Sequence, residues 1–401
     1  MQSYFHNRGF NSLVEKCRRD GIYVFFQEID SSIGYEVMTG GKRVIMVGSN
    51  DYLGLTQHPR VGEASQKAIE RWGSGPGGSR FLCGNLSIIT ELEETVAALL
   101  GKKGAVVHTT GFLANAGTFT CLADPCDLLL CDRDSHASIF EGAFNSRAKM
   151  RTFAHNDMDD ARKILKRSME RHPEAVRVAV TEGVFSMSGS IADLPGLIAL
   201  KREDPSLIVY LDDAHGLGVM GDGRGTAHHF SVTQDVDVIM GTFSKALASI
   251  GGFIASDDLG FLEYLKHKSR TLMFSAALPA ASAAAALESC KIIREEPERV
   301  WKLWENTRKA RQGFRDIGLK MVEGDGPVIG VLIGDDAKAF KFSLELLSLG
   351  VFALPAVYPA VPKGQSIIRV AFMSTHEDKH IEQVLDCFKK VASSLSVSIA
   401  N

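Results

Sequence analysis

The chain has 401 residues, with 45 Lys+Arg against 48 Asp+Glu, a formal charge of -3 and 45% hydrophobic residues. That much apolar material excludes intrinsic disorder, and the lack of basic excess argues against a dedicated nucleic-acid binder. One small core is excluded at this length, so two lobes or a large domain with an appendage are expected.

The opening MQSYFHNRGF has no apolar core after a basic region and does not read as a signal peptide. No apolar run reaches the roughly 18 residues of a membrane span. Ser275 to Leu287, the longest candidate, is Ala-rich and reads as a packed helix. Seven cysteines without a CxxC pair suggest reduced thiols in a cytoplasmic protein. Cys121, Cys126 and Cys131 match no metal spacing and read as small core hydrophobes.

In chain order, residues 8–20 read as a helix carrying Lys16, Arg18 and Arg19. IYVFFQEI and KRVIMV follow as strands, then the turn-rich GSNDYLGL. Pro59 to Trp72 is helical, with Pro where a missing N–H costs little. GSGPGGSRFLCGN, with five glycines in thirteen residues, is a loop of unusual dihedrals or close backbone approach. Ser87 to Gly101 is a helix, with Ser87 as its expected cap, acids in its early turns and Gly101 as its stop.

From residue 104 short β-branched runs alternate with amphipathic stretches. AVVHTT, DLLLCD, VRVAVTE, LIVYLDDAH and VDVIMGT are strands, with helices between them. This alternation predicts a mostly parallel sheet covered by helices. Helix-rich sequence fills 258–318, and VIGVLI, IIRVAF and helices over 336–349 and 376–395 make a small α/β tail. The expected boundaries are an arm over 1–45, a large domain over 46–285 and a small domain over 286–401.

Ligands of such sheets bind at the carboxyl ends of the strands. Five strands here end in polar sequence: TTGF, RDSHAS, TEGVFSM, LDDAHG and GTFSK. In LDDAHG an acid at a buried strand end can hold a proton on a pyridine nitrogen; a structural cap or half of a metal pair are the other uses of that pattern. Lys245 follows an apolar strand, and a dry setting favours the neutral amine that a Schiff base needs; a solvated loop lysine is the commoner state. TTGF can aim backbone N–H groups at a phosphate, with hydroxyls from Thr242 and Ser244. His136 starts a helix, either as a capping residue or as a ring stacked on a planar cofactor. Arg369 lies in an apolar strand, where a carboxylate ligand or an internal Asp or Glu would justify its charge.

The ordered set SNDYLGL, GSRFLCGN, TTGF, DSHASI, EGVFSM, DDAHGLG, GTFSKALASIGGF and IIRVAFMSTH resembles the α-oxoamine synthase family over roughly residues 45–390. The resemblance implies a fold type I transferase dependent on pyridoxal 5'-phosphate (PLP): a large domain with a mostly parallel sheet between helices, and a small C-terminal α/β domain. It implies joining of an amino acid to an acyl thioester, no metal, and a homodimer with shared sites. GSRFL with GNL, LKHKSRTLMFSAAL and PAVYPAVP are most similar to the bacterial members that use L-serine and palmitoyl-CoA. Carried over by position, Lys245 is the Schiff-base lysine, Asp212 pairs with the pyridinium nitrogen and His215 with the phenolic oxygen. His136 stacks on the ring and polarises or protonates the thioester oxygen. Gly111, Phe112 and Ser244 hold the phosphate, with Thr242 close by, and Ser275 reaches the phosphate of the neighbouring subunit. Ser186 contacts the ring, Asn50 and Tyr52 line the substrate side, and Arg369 binds the amino-acid carboxylate. Peripheral contact with the inner membrane face is a further expectation for a long-chain substrate.

Overall fold

The computed structural model describes residues 12–397. The arm holds α1 (Ser12–Arg19), β1 (Glu36–Thr39) and β2 (Lys42–Met46). The reading of a helix from residue 8 therefore lies partly outside the described residues. Next come α2 (Pro59–Trp72), α3 (Ser87–Leu100), β3 (Gly104–His108), α4 (Gly111–Leu122), β4 (Leu128–Asp132), α5 (Ala137–Asn145), β5 (Lys149–Phe153), α6 (Met158–Arg171) and β6 (Arg177–Glu182). They lead into α7 (Leu194–Glu203), β7 (Ile208–Asp212), α8 (Thr226–His229), β8 (Val238–Thr242), β9 (Gly252–Ser256), α9 (Leu259–Lys268), α10 (Arg270–Met273), α11 (Ala280–Glu295) and α12 (Glu298–Asp316). The tail holds β10 (Val328–Gly334), α13 (Asp336–Ser348), β11 (Val351–Phe352), β12 (Leu354–Ala356), β13 (Ser366–Ala371) and α14 (Asp378–Ser394).

The central sheet has seven strands in the order β3-β9-β8-β7-β6-β4-β5. β5, β4, β6, β7 and β8 run parallel, and β9 is antiparallel to both its neighbours. Helices cover both faces, which is why β4, β6, β8 and β9 are buried along their whole length and read as unbroken apolar runs. One face packs α3 and α11 through Leu92, Val96 and Ala283. The other packs α4, α5 and α9 through Phe119, Ile139 and Leu265. The fold type I architecture expected from the sequence is thus the one observed. A second core, with Phe314, Phe342 and Phe388, joins α12, α13 and α14 to the small sheet β10-β13-β12. β2 pairs in parallel with β11, so the arm and the tail share a three-stranded sheet.

Several local expectations are corrected. Residues 22–29 form no strand: Ile22 and Val24 are buried, but Phe26 turns out at φ 56 and is 93% exposed, which breaks the extended run. Ser87 does not cap α3; Leu86 stands at the cap, no acid lies in the first turn, and only the left-handed Gly101 stop is as expected. Of the three evenly spaced cysteines Cys131 is buried, Cys121 half-buried and Cys126 exposed. β5 and β9 were not expected. β5 is an edge whose Lys149 and Arg151 face outward, so its sequence carries no apolar run.

Candidate functional site

Strands β3, β4, β6, β7 and β8 end on one edge of the sheet, and their following turns carry the polar groups. Asp212 closes β7 and is buried. Its Oδ2 accepts from Asn115 Nδ2 at 2.7 Å, and its Oδ1 from the Ala214 N–H at 3.0 Å. Asn115 lies fully buried on α4. Its amide is oriented by the Tyr210 hydroxyl, which donates to Oδ1 at 2.7 Å, and its Nδ2 also donates to Ser138 Oγ at 2.9 Å. Asp213, the second acid of LDDAHG, turns the other way and accepts from the Thr226 hydroxyl at 2.6 Å and N–H at 2.7 Å. Burial pushes Asp213 up to about 6. It serves as the structural cap, and a Cβ at Gly216 would lie 2.0 Å from its Oδ1.

His136 is the N-cap of α5, so its capping reading is realised: Nδ1 accepts from the Ser138 N–H at 3.2 Å. Its backbone N–H donates to the buried Glu182 carboxyl. Burial, and then the neighbouring Asp212 carboxylate, push Glu182 well above the usual carboxylate range. Burial lowers His136, against the pull of Asp212.

Lys245 follows β8 in the same cluster. Burial pushes its ammonium down, Asp212 and Glu182 oppose this, and Arg369 adds to it. The result favours a larger share of neutral amine than an exposed lysine has. His215 is buried and lowered well below its ordinary value, first by burial and then by Lys245, Arg369 and His136. Its Nδ1 lies 2.6 Å from the Tyr52 hydroxyl, on a residue 163 positions away. Burial raises Tyr52, and Arg369 donates to its oxygen. The phenol therefore keeps its proton and donates to Nδ1, which leaves the His215 proton on Nε2.

Arg369 lies in β13, the central strand of the small sheet. Its Nε donates to the Ser186 carbonyl at 2.7 Å and its Nη2 to Asn50 Oδ1 at 2.8 Å. Among the described residues no Asp or Glu lies within ion-pair distance, so the internal-partner alternative is not what holds this charge. Ser186 therefore enters the cluster through its backbone carbonyl.

Thr110 caps α4, with its hydroxyl accepting from the Leu113 N–H at 3.1 Å. The N–H groups of Gly111 and Phe112 lack intrahelical acceptors and aim outward from the positive end of the helix. Thr242 Oγ1 lies 2.8 Å from the exposed Ser244 Oγ beside this turn. A Cβ on Gly252 would lie 2.6 Å from the Gly111 Cα, so both glycines permit a close backbone approach. Ser275 is half-buried on the stretch after α10, and among the described residues no hydrogen bond joins it to the cluster.

The site thus joins a helix N-terminus, hydroxyls, a buried acid, an enclosed lysine and two imidazoles. A phosphate suits the helix start with Ser244. A protonated ring nitrogen suits Asp212, whose described partners are neutral N–H donors rather than a cation. Sequence reasoning did not single out Asn115, Ser138, Tyr210 or Glu182. Glu182 and Ser138 stood inside quoted strand-end motifs, and Asn115 is one amide in the otherwise small and apolar GFLANAG; Tyr210 gave no signal.

Comparison with known proteins decides the family. The description Aminotransferase class I and II matches residues 42–388. The chain belongs to this family. Within it, the chain is 43% identical to a serine palmitoyltransferase of Sphingobacterium spiritivorum, over 94% of this chain and 95% of that one. It is 37% identical to an 8-amino-7-oxononanoate synthase of Thermoanaerobacter pseudethanolicus, over 96% of each. These relatives place it in the α-oxoamine synthase branch that the motifs resemble. The solved serine palmitoyltransferase of Sphingomonas wittichii superposes with a TM-score of 0.93 at 32% identity, covering 99% of each chain. A serine palmitoyltransferase of S. paucimobilis with bound PLP-myriocin gives 0.94 at 30%, covering 99% of this chain and 100% of that one. Among the described residues no helix is long and apolar enough to cross a membrane.

Proposed function

We propose that this chain condenses L-serine with palmitoyl-CoA, releasing carbon dioxide and coenzyme A, to give 3-ketosphinganine. The observation that carries the reading is the assembled site of Lys245, Asp212, His215, His136 and Arg369 in a chain 43% identical, over nearly its full length, to a serine palmitoyltransferase. PLP fits the site: Gly111, Phe112, Thr242 and Ser244 would hold its phosphate, Asp212 its ring nitrogen, His215 its phenolic oxygen and Lys245 its aldehyde carbon. Bound there, it supplies an electron sink for charge developing at the amino-acid α-carbon.

The chain's own residues do the rest. Arg369, held by Ser186 and Asn50, keeps N–H groups for the serine carboxylate. Lys245, with its ammonium disfavoured, takes the α-proton. His136 donates a hydrogen bond toward the thioester carbonyl as charge builds on its oxygen.

A second copy of the chain completes the site in this reading. Phe81, Leu82 and Phe274 are 53%, 83% and 80% exposed. They flank the contact between the Gly-rich loop and the stretch carrying Ser275, where the Ala277 N–H bonds the Gly78 carbonyl. A surface this apolar favours a partner over water. Peripheral contact with the inner membrane face is supported by exposed Lys16, Arg18 and Arg19 on α1, close in sequence to the outward Phe26.

The test offers PLP-loaded protein a matrix of Ser, Gly, Ala and cysteate against acetyl-, pimeloyl- and palmitoyl-CoA, with products identified by mass. Ketosphinganine from serine and palmitoyl-CoA, formed by a species of twice the chain mass and absent in Lys245→Ala, is expected. Product only from glycine or alanine with a short thioester overturns the substrate assignment. Turnover by Lys245→Ala overturns the catalytic one.

A further inference from the structure

A continuous buried hydrogen-bond chain runs from Tyr210 through Asn115 to both Asp212 and Ser138, and from Ser138 to His136. The direction of every bond in it follows from chemistry. The Asn115 amide cannot present its oxygen to the Asp212 carboxylate, so Nδ2 faces Asp212 and Ser138, and Oδ1 accepts from Tyr210. Ser138 Oγ, already accepting from Asn115, has its own proton to give, and His136 Nδ1 lies 2.8 Å away. The Ser138 backbone N–H points at the same nitrogen from 3.2 Å. A proton on Nδ1 would face that N–H and leave the Ser138 hydroxyl with no acceptor among the described residues. Nδ1 is therefore an acceptor twice over.

We infer that Asn115 and Ser138 are positioning residues that hold His136 as the neutral tautomer with its proton on Nε2, so that it can only donate into the site. The same amide orients Asp212, so one buried side chain sets both groups. The assignment separates two roles the sequence left together for His136. It is a hydrogen-bond donor to a developing oxyanion and not a base, and the α-proton falls to Lys245 alone. Glu182, Asp212, His215 and Lys245 are the titratable groups facing His136 from the neighbouring strand ends. Only the identity of the oxygen that receives the hydrogen bond rests on the function proposed above; the tautomer does not.

The experiment is long-range 1H–15N correlation of the PLP-loaded protein labelled with 15N-histidine. His136 is assigned among the 12 histidines by the signal lost in His136→Asn. The Nε2–H pattern is expected and holds from about pH 8 to about pH 6, where an ordinary histidine becomes half protonated. Ser138→Ala, which removes one oxygen, is expected to mix the tautomers and lower kcat about tenfold, with the amino-acid KM changed less than about threefold. Asn115→Leu should do the same and weaken PLP binding, read by titration of the apoprotein. If Asn115→Leu does not fold, Ser138→Ala decides. An Nδ1–H pattern or imidazolium at neutral pH, or an unchanged tautomer and kcat in Ser138→Ala, overturns the inference. The Nε2–H pattern in a protein that makes no ketosphinganine would leave the inference standing and reject only the substrate assignment.

Discussion

Replacing Arg369 by lysine tests how the amino acid is held. The guanidinium has five N–H donors in a planar fork. One meets the Ser186 carbonyl at 2.7 Å, one meets Asn50 Oδ1 at 2.8 Å, and another faces the Tyr52 phenol. That leaves a pair for a carboxylate, on a strand paired with β10 on one side and β12 on the other. Lysine carries three donors on a point charge and cannot satisfy Ser186, Asn50 and a two-pronged carboxylate together. The loss is one charged hydrogen bond, about 1.5–3 kcal/mol, or a rise of about 10- to 150-fold in the serine KM. Asn50→Ala removes one neutral-acceptor anchor and should raise it about tenfold or less. Steady-state kinetics with each substrate varied in turn is the assay, and the palmitoyl-CoA KM should stay within about twofold. A serine KM unchanged in Arg369→Lys, or both KM values rising together, would refute the reasoning.

The remaining predictions concern stability and surface. His108 is buried with neither ring nitrogen bonded among the described residues, and burial lowers it to about 3. Its folded value is below its unfolded one, so the stability it contributes is full above about pH 6.5 and falls as pH drops toward 3, by about 1.4 kcal/mol per pH unit. His108→Leu should match or exceed the parent in thermal stability at neutral pH and lose that much acid sensitivity; an unchanged slope between about pH 6 and 4 would contradict the assignment. Co-sedimentation with anionic vesicles should be strong at low salt, weaken at high salt, and fall in Phe26→Ser, whose parent side chain is 93% exposed. Equal binding to neutral vesicles would remove the electrostatic part of that reading.

Local pattern carried much of this protein. Apolar runs in alternation with amphipathic stretches report burial on both faces and period, and these suffice for a mostly parallel sheet between helices. Because such sheets present their chemistry at strand ends, Asp212, Lys245 and His136 were legible as candidates before any fold was seen. What failed was whatever depends on a distant partner. IYVFFQEI has the composition of a strand, yet its side chains pack without a backbone to pair with, while KRVIMV finds its second partner in Val351 and Phe352. β5 carries no apolar run, because an edge needs none. Arg369 was visible as a costly charge, but its anchors are a carbonyl 183 positions away and an amide 319 positions away. Tyr52 meets His215, and Asn115 meets Asp212, only because α4, β7 and the turn after β2 converge on one edge of the sheet. Residue type and spacing determine which groups can carry charge and protons here. Which of them touch, in which tautomer and around which acid, is decided by tertiary packing, because a hydrogen bond needs a partner within about 3 Å and sequence spacing carries no such distance.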